Sequence, residues 1–481
     1  DGQALDADDF GEYDANGTWK AKEYTGTYGT NGFYLPMKPT TQAELQNTVI
    51  YSGNASTQSI DGVGYAPDLV WLKGRTLGYN HRLYDTVRGS GASLIPDLTN
   101  AEGFLSGLDS FQPDGFTLGT SIGTNNTSNN YVAWTWDAGD NQPSTGHNSV
   151  LYYGTGTERK VTGFGFSPDL IIFKDRSTSS PLLIDSVRGS FKELQPNSTG
   201  AETSNSGTRI ASIDADGFSF ANTSVTSLNA SGNKYVAWGW DAGDGDPVLN
   251  EVGTIDSTVK ANSDKGFSVV SYTGNATAGA TVGHGLSAAP EMIITKNRSA
   301  TSEWTTFVQA ANSGNGQLGY LRLNNTNAWA DSAIMWNDTS PTSTVFSLGS
   351  YSHVNGSGNN LIAYCFHSIA GYSKIDSYTG TGATGNVITT GFRPGFVMIK
   401  ATSIASQSWH IYDGSRNPFN PVTLRLHTNS SAAEDALRPL GEFTDTGFTI
   451  NSTQAQLNQS GAAYIYMAFK GSYSDHVSPL N

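Results

Sequence analysis

Cysteine and positive charge are scarce in this sequence of 481 residues. The single cysteine, Cys365, excludes an intramolecular disulfide, so the folded chain has to be stabilised by packing alone. Lys and Arg number 27 against 42 Asp and Glu, which gives a net charge of −15. Nucleic-acid binding depends on clustered Lys and Arg, so we expect no nucleic-acid partner. Apolar runs are far shorter than the roughly 20 residues that span a bilayer, which argues against membrane insertion.

Residue patterns that carry catalysis or bind transition metals are also scarce. The eight histidines are scattered, without a His-x-x-x-His or Cys-x-x-Cys pair. Neither a nucleophile with a nearby base nor a pair of convergent acids stands out. We therefore predict that the chain is not an enzyme and holds no transition metal.

Glycine is abundant, with 55 residues, while charged residues make up only 14%. Ser, Thr, Asn and Gly fill the spaces between short apolar runs, and long helix-favouring runs of Ala, Leu, Glu and Lys are missing. This composition is typical of an all-β protein.

One pattern occurs four times along the chain: a Tyr and Gly, a glycine-rich turn, a proline, and a short apolar run that ends in lysine. The prolines lie 101, 122 and 104 residues apart, a spacing that suits small domains. The four runs are 67–73, 168–174, 290–296 and 394–400. We predict four related antiparallel β-sandwich modules in tandem, of the jelly-roll or lectin-like kind, at 47–140, 141–247, 248–371 and 372–481. Residues 1–46 are interpreted as the end of an upstream domain plus a connector.

Further strand signals recur inside the modules. An Asp-x-x-Arg-Gly segment follows the proline-led strand at Asp85/Arg88 and Asp185/Arg188, and we interpret each pair as a brace for a loop rather than as catalytic. Each module closes with an aromatic strand, such as 131–136, whose alternation places Trp134 and Trp136 on one face. The equivalent strand of the third module contains Cys365, which predicts a buried thiol.

The linkers between modules are short, which predicts modules held in a defined line. The second linker contains Asp241, Asp244 and Asp246, three carboxylates that could reach a calcium ion. It lacks the EF-hand spacing and the terminal Glu of that motif, so a solvated turn is favoured over a calcium site.

Several segments together resemble a repeat domain of structural proteins from marine tailed bacteriophages, cyanophages among them. They are Tyr-Gly-Thr-Asn-Gly-Phe-Tyr-Leu at 28–35, the Pro-Asp-Leu-Val-Trp-Leu-Lys strand, the Asp-Thr-Val-Arg-Gly strand, and Asp-Gly-Phe followed by Tyr-Val-Ala-Trp. The resemblance is strong in modules 1 and 2, intermediate in 4 and weaker in 3. It implies a virion component with lectin-like or SPRY-like β-sandwich modules, in a tail fibre or other appendage that works outside the cell.

This resemblance implies as partners other virion proteins and a glycan or protein receptor on the host surface. A homo-oligomer, with a trimer as the default for a fibre, is expected. Aromatic side chains in loops can stack on sugar rings, and the loops suggest five candidate glycan contacts. These are Tyr79, His81, Trp304, Trp409 and His410.

Two alternatives stay open at this point. A purely architectural role, as capsid decoration or fibre shaft, would bury the loops against neighbouring subunits. The second alternative is that these are carbohydrate-binding modules of a glycan-active protein. A cleft with two carboxylates about 5–9.5 Å apart would support it.

Overall fold

A computed structural model describes residues 11–13, 19–21, 46–86, 88–100, 102–104, 107–112, 114–136, 146–204, 209–221, 227–417 and 420–471. The chain divides into two compact units, Asp1–Glu44 and Leu45–Asn481. In the first unit, strands β1 (Gly11–Tyr13) and β2 (Trp19–Ala21) form an antiparallel pair. The segment 28–35 used in the sequence comparison lies outside the described residues. None of the described helices is long and apolar enough to cross a membrane.

The second unit is almost entirely β-structure with antiparallel pairing, which confirms the predicted all-β fold. The names modules 1 to 4 are kept for the four segments defined above, and their bounds stay a prediction. The elements of module 1 are β3 Gln46–Ser52, β4 Gln58–Asp61, β5 Leu69–Gly74, β6 Arg82–Asp85, β7 Ala92–Ser93, β8 Gly103–Phe104, β9 Leu108–Gln112, β10 Gly115–Leu118, α1 Ile122–Asn125 and β11 Asn130–Trp136.

Module 2 has a similar succession of strands. They are β12 His147–Tyr153, β13 Arg159–Thr162, β14 Leu170–Asp175, β15 Leu182–Asp185, β16 Lys192–Glu193, β17 Thr203–Ser204, β18 Ile210–Asp214, β19 Gly217–Phe220 and β20 Lys234–Trp240.

Module 3 is longer and contains three short helices and a 3₁₀ turn at Gly316–Leu318. Its other elements are β21 Val248–Asn250, β22 Ser257–Asn262, β23 Phe267–Thr273, β24 Ala280–Gly283, β25 Met292–Asn297, β26 Thr305–Val308, α2 Ala311–Gly314, β27 Gly319–Arg322, β28 Ala330–Asp331, α3 Ala333–Trp336, β29 Val345–Leu348, α4 Ser352–Asn355 and β30 Asn360–Phe366.

Module 4 completes the unit with eight described strands. They are β31 Ser373–Thr379, β32 Asn386–Thr389, β33 Pro394–Ala401, β34 His410–Asp413, β35 Leu426–His427, β36 Gly441–Thr444, β37 Gly447–Ile450 and β38 Ala463–Lys470.

The same strand order recurs in the larger sheet of every module: opening strand, closing aromatic strand, proline-led strand, then the strand that carries the repeated Asp in modules 1, 2 and 4. In module 1 this order is β3-β11-β5-β6 and in module 2 it is β12-β20-β14-β15. Module 3 extends it to eight strands, and module 4 to five with the order β31-β38-β33-β34-β35. A smaller sheet, such as β4-β10-β9, covers one face, and apolar side chains of both sheets form the core between them.

The turn before the strand of the smaller sheet shows why its glycine is needed. Gly115 has a φ of 150°, and a Cβ on it would lie 2.0 Å from the carbonyl oxygen of Ile60. The preceding Asp114 accepts hydrogen bonds from the backbone N–H groups of Gly62 and Gly64, at 3.2 and 2.6 Å. Only glycine tolerates both this conformation and this close approach, so the Asp-Gly-Phe pattern is a structural signature.

Modules 2, 3 and 4 share a further apolar core in addition to the core inside each module. It contains Trp238 and Trp240 of module 2, Tyr364 of module 3 and Met467 of module 4. The prediction of modules in a line is therefore wrong for these three modules. The reason is the second face of each larger sheet, which is also apolar and has to be covered.

Candidate functional site

Three of the five candidate glycan contacts are buried. Trp304 and Trp409 are 0% exposed and His410 is 1% exposed. The indole of Trp304 donates to the carbonyl oxygen of Gln195 in module 2, and that of Trp409 to the carbonyl oxygen of Arg322 in module 3, both at 2.9 Å. Trp304 and Trp409 belong to the shared core, and His410 packs against His427 of its own module. The prediction of these three residues as surface contacts is therefore wrong.

Tyr79 and His81 of module 1 are half-buried. The hydroxyl of Tyr79 accepts a hydrogen bond from Asn126 at 3.2 Å, and Nδ1 of His81 accepts one from the indole of Trp71 at 2.9 Å. Their interpretation as glycan contacts stays a prediction.

The repeated Asp-x-x-Arg pair is a structural brace, as predicted. The guanidinium of Arg188 lies 2.5 Å from Asp185, and its backbone N–H also donates to this carboxylate. Module 4 repeats the arrangement with Asp413 and Arg416 at 2.6 Å. Both pairs have fully buried side chains, so each charge depends on its partner for compensation.

Each buried aspartate also accepts a hydrogen bond from an aromatic side chain of a neighbouring module. The Tyr364 hydroxyl of module 3 donates to Asp185 of module 2 at 2.6 Å, and this carboxylate and the Tyr364 ring are both buried. The indole of Trp238 in module 2 donates to Asp413 of module 4 at 3.0 Å. Trp238 and Tyr364 occupy equivalent places, because their strand partners Ile172 and Ile294 each lie four residues after the module's proline.

A salt bridge between the same two modules lies beside each of these buried hydrogen bonds. Arg298 of module 3 lies 2.7 Å from Glu202 of module 2, and Glu202 also binds Arg188 at 3.1 Å. In the same way Arg176 of module 2 lies 2.7 Å from Glu434 of module 4. Burial raises the pKa of Glu202, but the hydrogen bond from Arg298 and the charge of Arg188 outweigh this, and the pKa lies below its usual value.

The lysines that end the proline-led strands also reach across module boundaries. Lys296 donates to the carbonyl oxygen of Thr199 at 2.9 Å, Lys400 to that of Thr326 at 3.2 Å, and Lys174 to that of Ser431 at 3.5 Å. Burial lowers the pKa of all three lysines to about 8. The repeated lysine is thus a connection between modules.

These contacts all run in one direction around a closed ring: module 3 reaches module 2, module 2 reaches module 4, and module 4 reaches module 3. At the centre, the equivalent rings of Trp240, Phe366 and Phe469 form a triangle with centroid distances of 6.3, 6.0 and 6.3 Å. A cavity of about 30 Å³ with apolar lining lies beside them, bounded by residues of all three modules. Modules 2 to 4 therefore form a pseudo-three-fold ring within one chain.

Within the described residues, no group of three or more His, Cys, Asp or Glu side chains could hold a metal ion. The carboxylate of Asp241 instead accepts hydrogen bonds from the backbone of Gly243 at 2.7 Å and from Asn262 at 3.0 Å. The weak calcium hypothesis at Asp241, Asp244 and Asp246 gains no support from this arrangement.

Other side chains with chemical potential serve packing in the described part of the chain. Cys365 is fully buried, and burial raises the pKa of its thiol, which disfavours the reactive thiolate. His410 and His427 pack against each other at 4.9 Å, and burial lowers the pKa of both. None of these three buried side chains is accessible to a substrate as an acid, a base or a nucleophile.

Sequence reasoning missed the intermodule roles of Trp238, Tyr364 and the three lysines. The available signal was the apolar character of both faces of the closing strand, since a sheet with one solvated face alternates between apolar and polar residues.

A comparison with protein families finds one match, to a family described as a domain of unknown function (DUF7483). It covers residues 41–146 and 142–472. No curated protein and no solved structure matches the chain. The two matched segments overlap at residues 142–146, at the start of module 2.

Proposed function

From the chain's membership of the DUF7483 family, whose description assigns no function, we propose a non-catalytic architectural role, as a structural protein on the outside of a virion. Its partners would be other virion proteins, and it would work extracellularly. The resemblance to repeat domains of tailed-phage structural proteins supports the virion setting.

One observation carries the architectural role: the polar residues that recur between repeats are used to join modules. Asp185, Asp413 and the lysines at 174, 296 and 400 all make contacts across module boundaries. A catalytic protein would aim such groups at a cleft, whereas a scaffold uses them to fix the orientation of its parts.

Host contact through loop aromatics is the weaker proposal. Trp304 and Trp409 lie in intermodule interfaces and His410 is buried against His427 of its own module, which leaves Tyr79 and His81 as candidates. A tail-fibre location and a capsid location are both compatible with an architectural role.

The proposal is tested by immunogold labelling of purified phage particles whose genome encodes the chain, with antibodies raised against the folded protein. We expect gold on the particle exterior, at the tail or the capsid surface. Absence of the chain from purified particles, checked by mass spectrometry, would overturn the virion assignment.

The non-catalytic part has a separate test. The purified chain is incubated with capsular and lipopolysaccharide preparations from candidate hosts, and release of new reducing ends is measured against a known depolymerase. We expect no release above buffer, and saturable release would show the architectural interpretation to be wrong.

A further inference from the structure

Module 1 carries the same face as modules 2 to 4. Tyr153 of module 2 lies at the edge of this face beside Gly89, but its centre, with Trp134 and Trp136, is outside the shared core of the ring. Trp134 and Trp136 are half-buried, whereas their equivalents Trp238 and Trp240 are 1% and 3% exposed. Ile50 on the neighbouring strand is 68% exposed. A patch of this kind on one sheet face marks an interaction surface.

Both halves of the intermodule hydrogen bond are present on this face. Asp85 pairs with Leu69 in the register that Asp185 and Asp413 adopt with their own proline-led strands. Arg88 braces Asp85 at 2.6 Å, but the side chains of Arg88 and Asp85 keep 20% and 22% exposure, against 0% in the two buried pairs. Trp134 stands where Trp238 donates to Asp413. Module 1 thus offers a donor and an acceptor that have no counterpart within the described chain.

Module 1 also contains the arginine and the glutamate that correspond to the salt bridge between modules. The backbone N–H of Arg75 donates to Asn130, as that of Arg176 does to Lys234, so the two arginines are equivalent. Arg75 is exposed, and Glu102 lies 3.5 Å from Arg88 as Glu202 does, at 3.1 Å, from Arg188. Opposite charges therefore lie at the two places that the salt bridge joins in modules 2 to 4.

Among the described residues, the repeated lysine of module 1, Lys73, makes the hydrogen bond within its own module but not the one to a neighbouring module. Lys73 donates to the carbonyl oxygen of Tyr79 in its own loop, at 2.7 Å. Lys296 makes the equivalent bond to Ser302 and adds a second one to Thr199 of module 2. For Lys73 the structure gives only the first bond. The counterpart of Thr199 in module 1 is Thr99, which is exposed.

We propose that module 1 packs against module 1 of two further copies of this chain, which makes the protein a homotrimer. The donor and acceptor lie at different places on the face, so the contact is heterologous and has to close as a ring. Modules 2 to 4 use the same face to form a closed ring of three. Identical copies place Trp134 of one chain against Asp85 of the next at all three interfaces, and the three Trp136 rings meet at the axis.

The occupant is a second copy rather than another module of the same chain, because the ring of modules 2 to 4 is already closed. The proposal rests on this face and not on the virion role, so either can fail without the other.

The experiment is sedimentation velocity combined with light scattering on the full chain. We expect about 153 kDa for three chains of 51.0 kDa each. Arg75→Glu places like charges opposite each other at every interface, and Trp134→Asp removes the central donor. Both should shift the mass toward 51.0 kDa at concentrations where the unaltered chain is trimeric.

Arg75 is exposed, so its substitution does not threaten folding, and circular dichroism of each variant checks this. Lys160→Glu makes the same charge change at an exposed position of module 2, outside the face, and should stay trimeric. A monomeric or dimeric unaltered chain would overturn the proposal, and so would a trimer that survives both substitutions. A face covered by residues 1–45 of the same chain would give the monomeric result.

Discussion

Removing one oxygen atom from the shared core tests whether modules 2 and 3 stabilise each other. Tyr364→Phe deletes the hydroxyl that donates to Asp185 at 2.6 Å across the module boundary. Phe fills the same space, so the substitution leaves no cavity and changes only the hydrogen bonds of the hydroxyl, which also accepts one from Arg188 at 3.5 Å.

The magnitude follows from burial and from the remaining partners of the carboxylate. A hydrogen bond to a charged group contributes about 1.5–3 kcal/mol, and water cannot replace this one because both side chains are buried. Asp185 keeps its bonds to the side chain and the backbone N–H of Arg188. We therefore expect a loss in the free energy of unfolding of about 2 kcal/mol, or roughly 30-fold in the unfolding equilibrium constant.

The assay is urea unfolding followed by tryptophan fluorescence, since Trp238, Trp240, Trp304 and Trp409 all lie in the shared core. The control is Tyr351→Phe, at a half-buried tyrosine of module 3 that packs against His353. If Tyr364→Phe shifts the transition no more than this control, the contact between modules does not contribute to stability as argued.

Two further predictions concern pH and packing. Burial lowers the pKa of His284 and His427 to about 4, so the unfolded chain, which titrates near 6.5, binds more protons below that pH. Stability should fall as pH drops from 6.5 to about 4, by about 1.4 kcal/mol per pH unit for each histidine, and His427→Gln should flatten the profile from urea midpoints. Gly239→Ala should destabilise module 2 by about 1–3 kcal/mol in the same assay, because its Cβ would lie 2.3 Å from the ring of Phe164. An unchanged midpoint would show that the ring moves aside.

The sequence was a good guide to the strands and a poor guide to their surroundings. The proline-led runs, the Asp-Gly-Phe turns and the closing aromatic strands all depend on local chemistry, and the structure contains β-strands at each of them. The burial of Cys365 on a strand is likewise confirmed. Local preference and alternation are sufficient for such features.

The candidate site could not be found in this way, because its contacts join distant residues. Asp185 and Tyr364 are 179 positions apart, and Trp238 and Asp413 are 175 apart. Trp304 and Trp409 resemble exposed loop aromatics in sequence, since each stands at the polar start of a strand. Their burial is decided by the neighbouring module, which no local pattern describes.

The three interfaces of the ring differ in whether they contain the buried hydrogen bond to an aspartate. The Asp position is Val308 in module 3, and the donor position opposite it in the ring is Met467 in module 4, both in the shared core. Where the carboxylate is missing, the polar donor is missing too, because either one buried alone would be left without a partner. Module 1 keeps both Trp134 and Asp85, the combination that three identical copies need. Modules 2 to 4 thus form a pseudo-three-fold ring with different partners at each interface, whereas module 1 carries both the donor and the acceptor on one face.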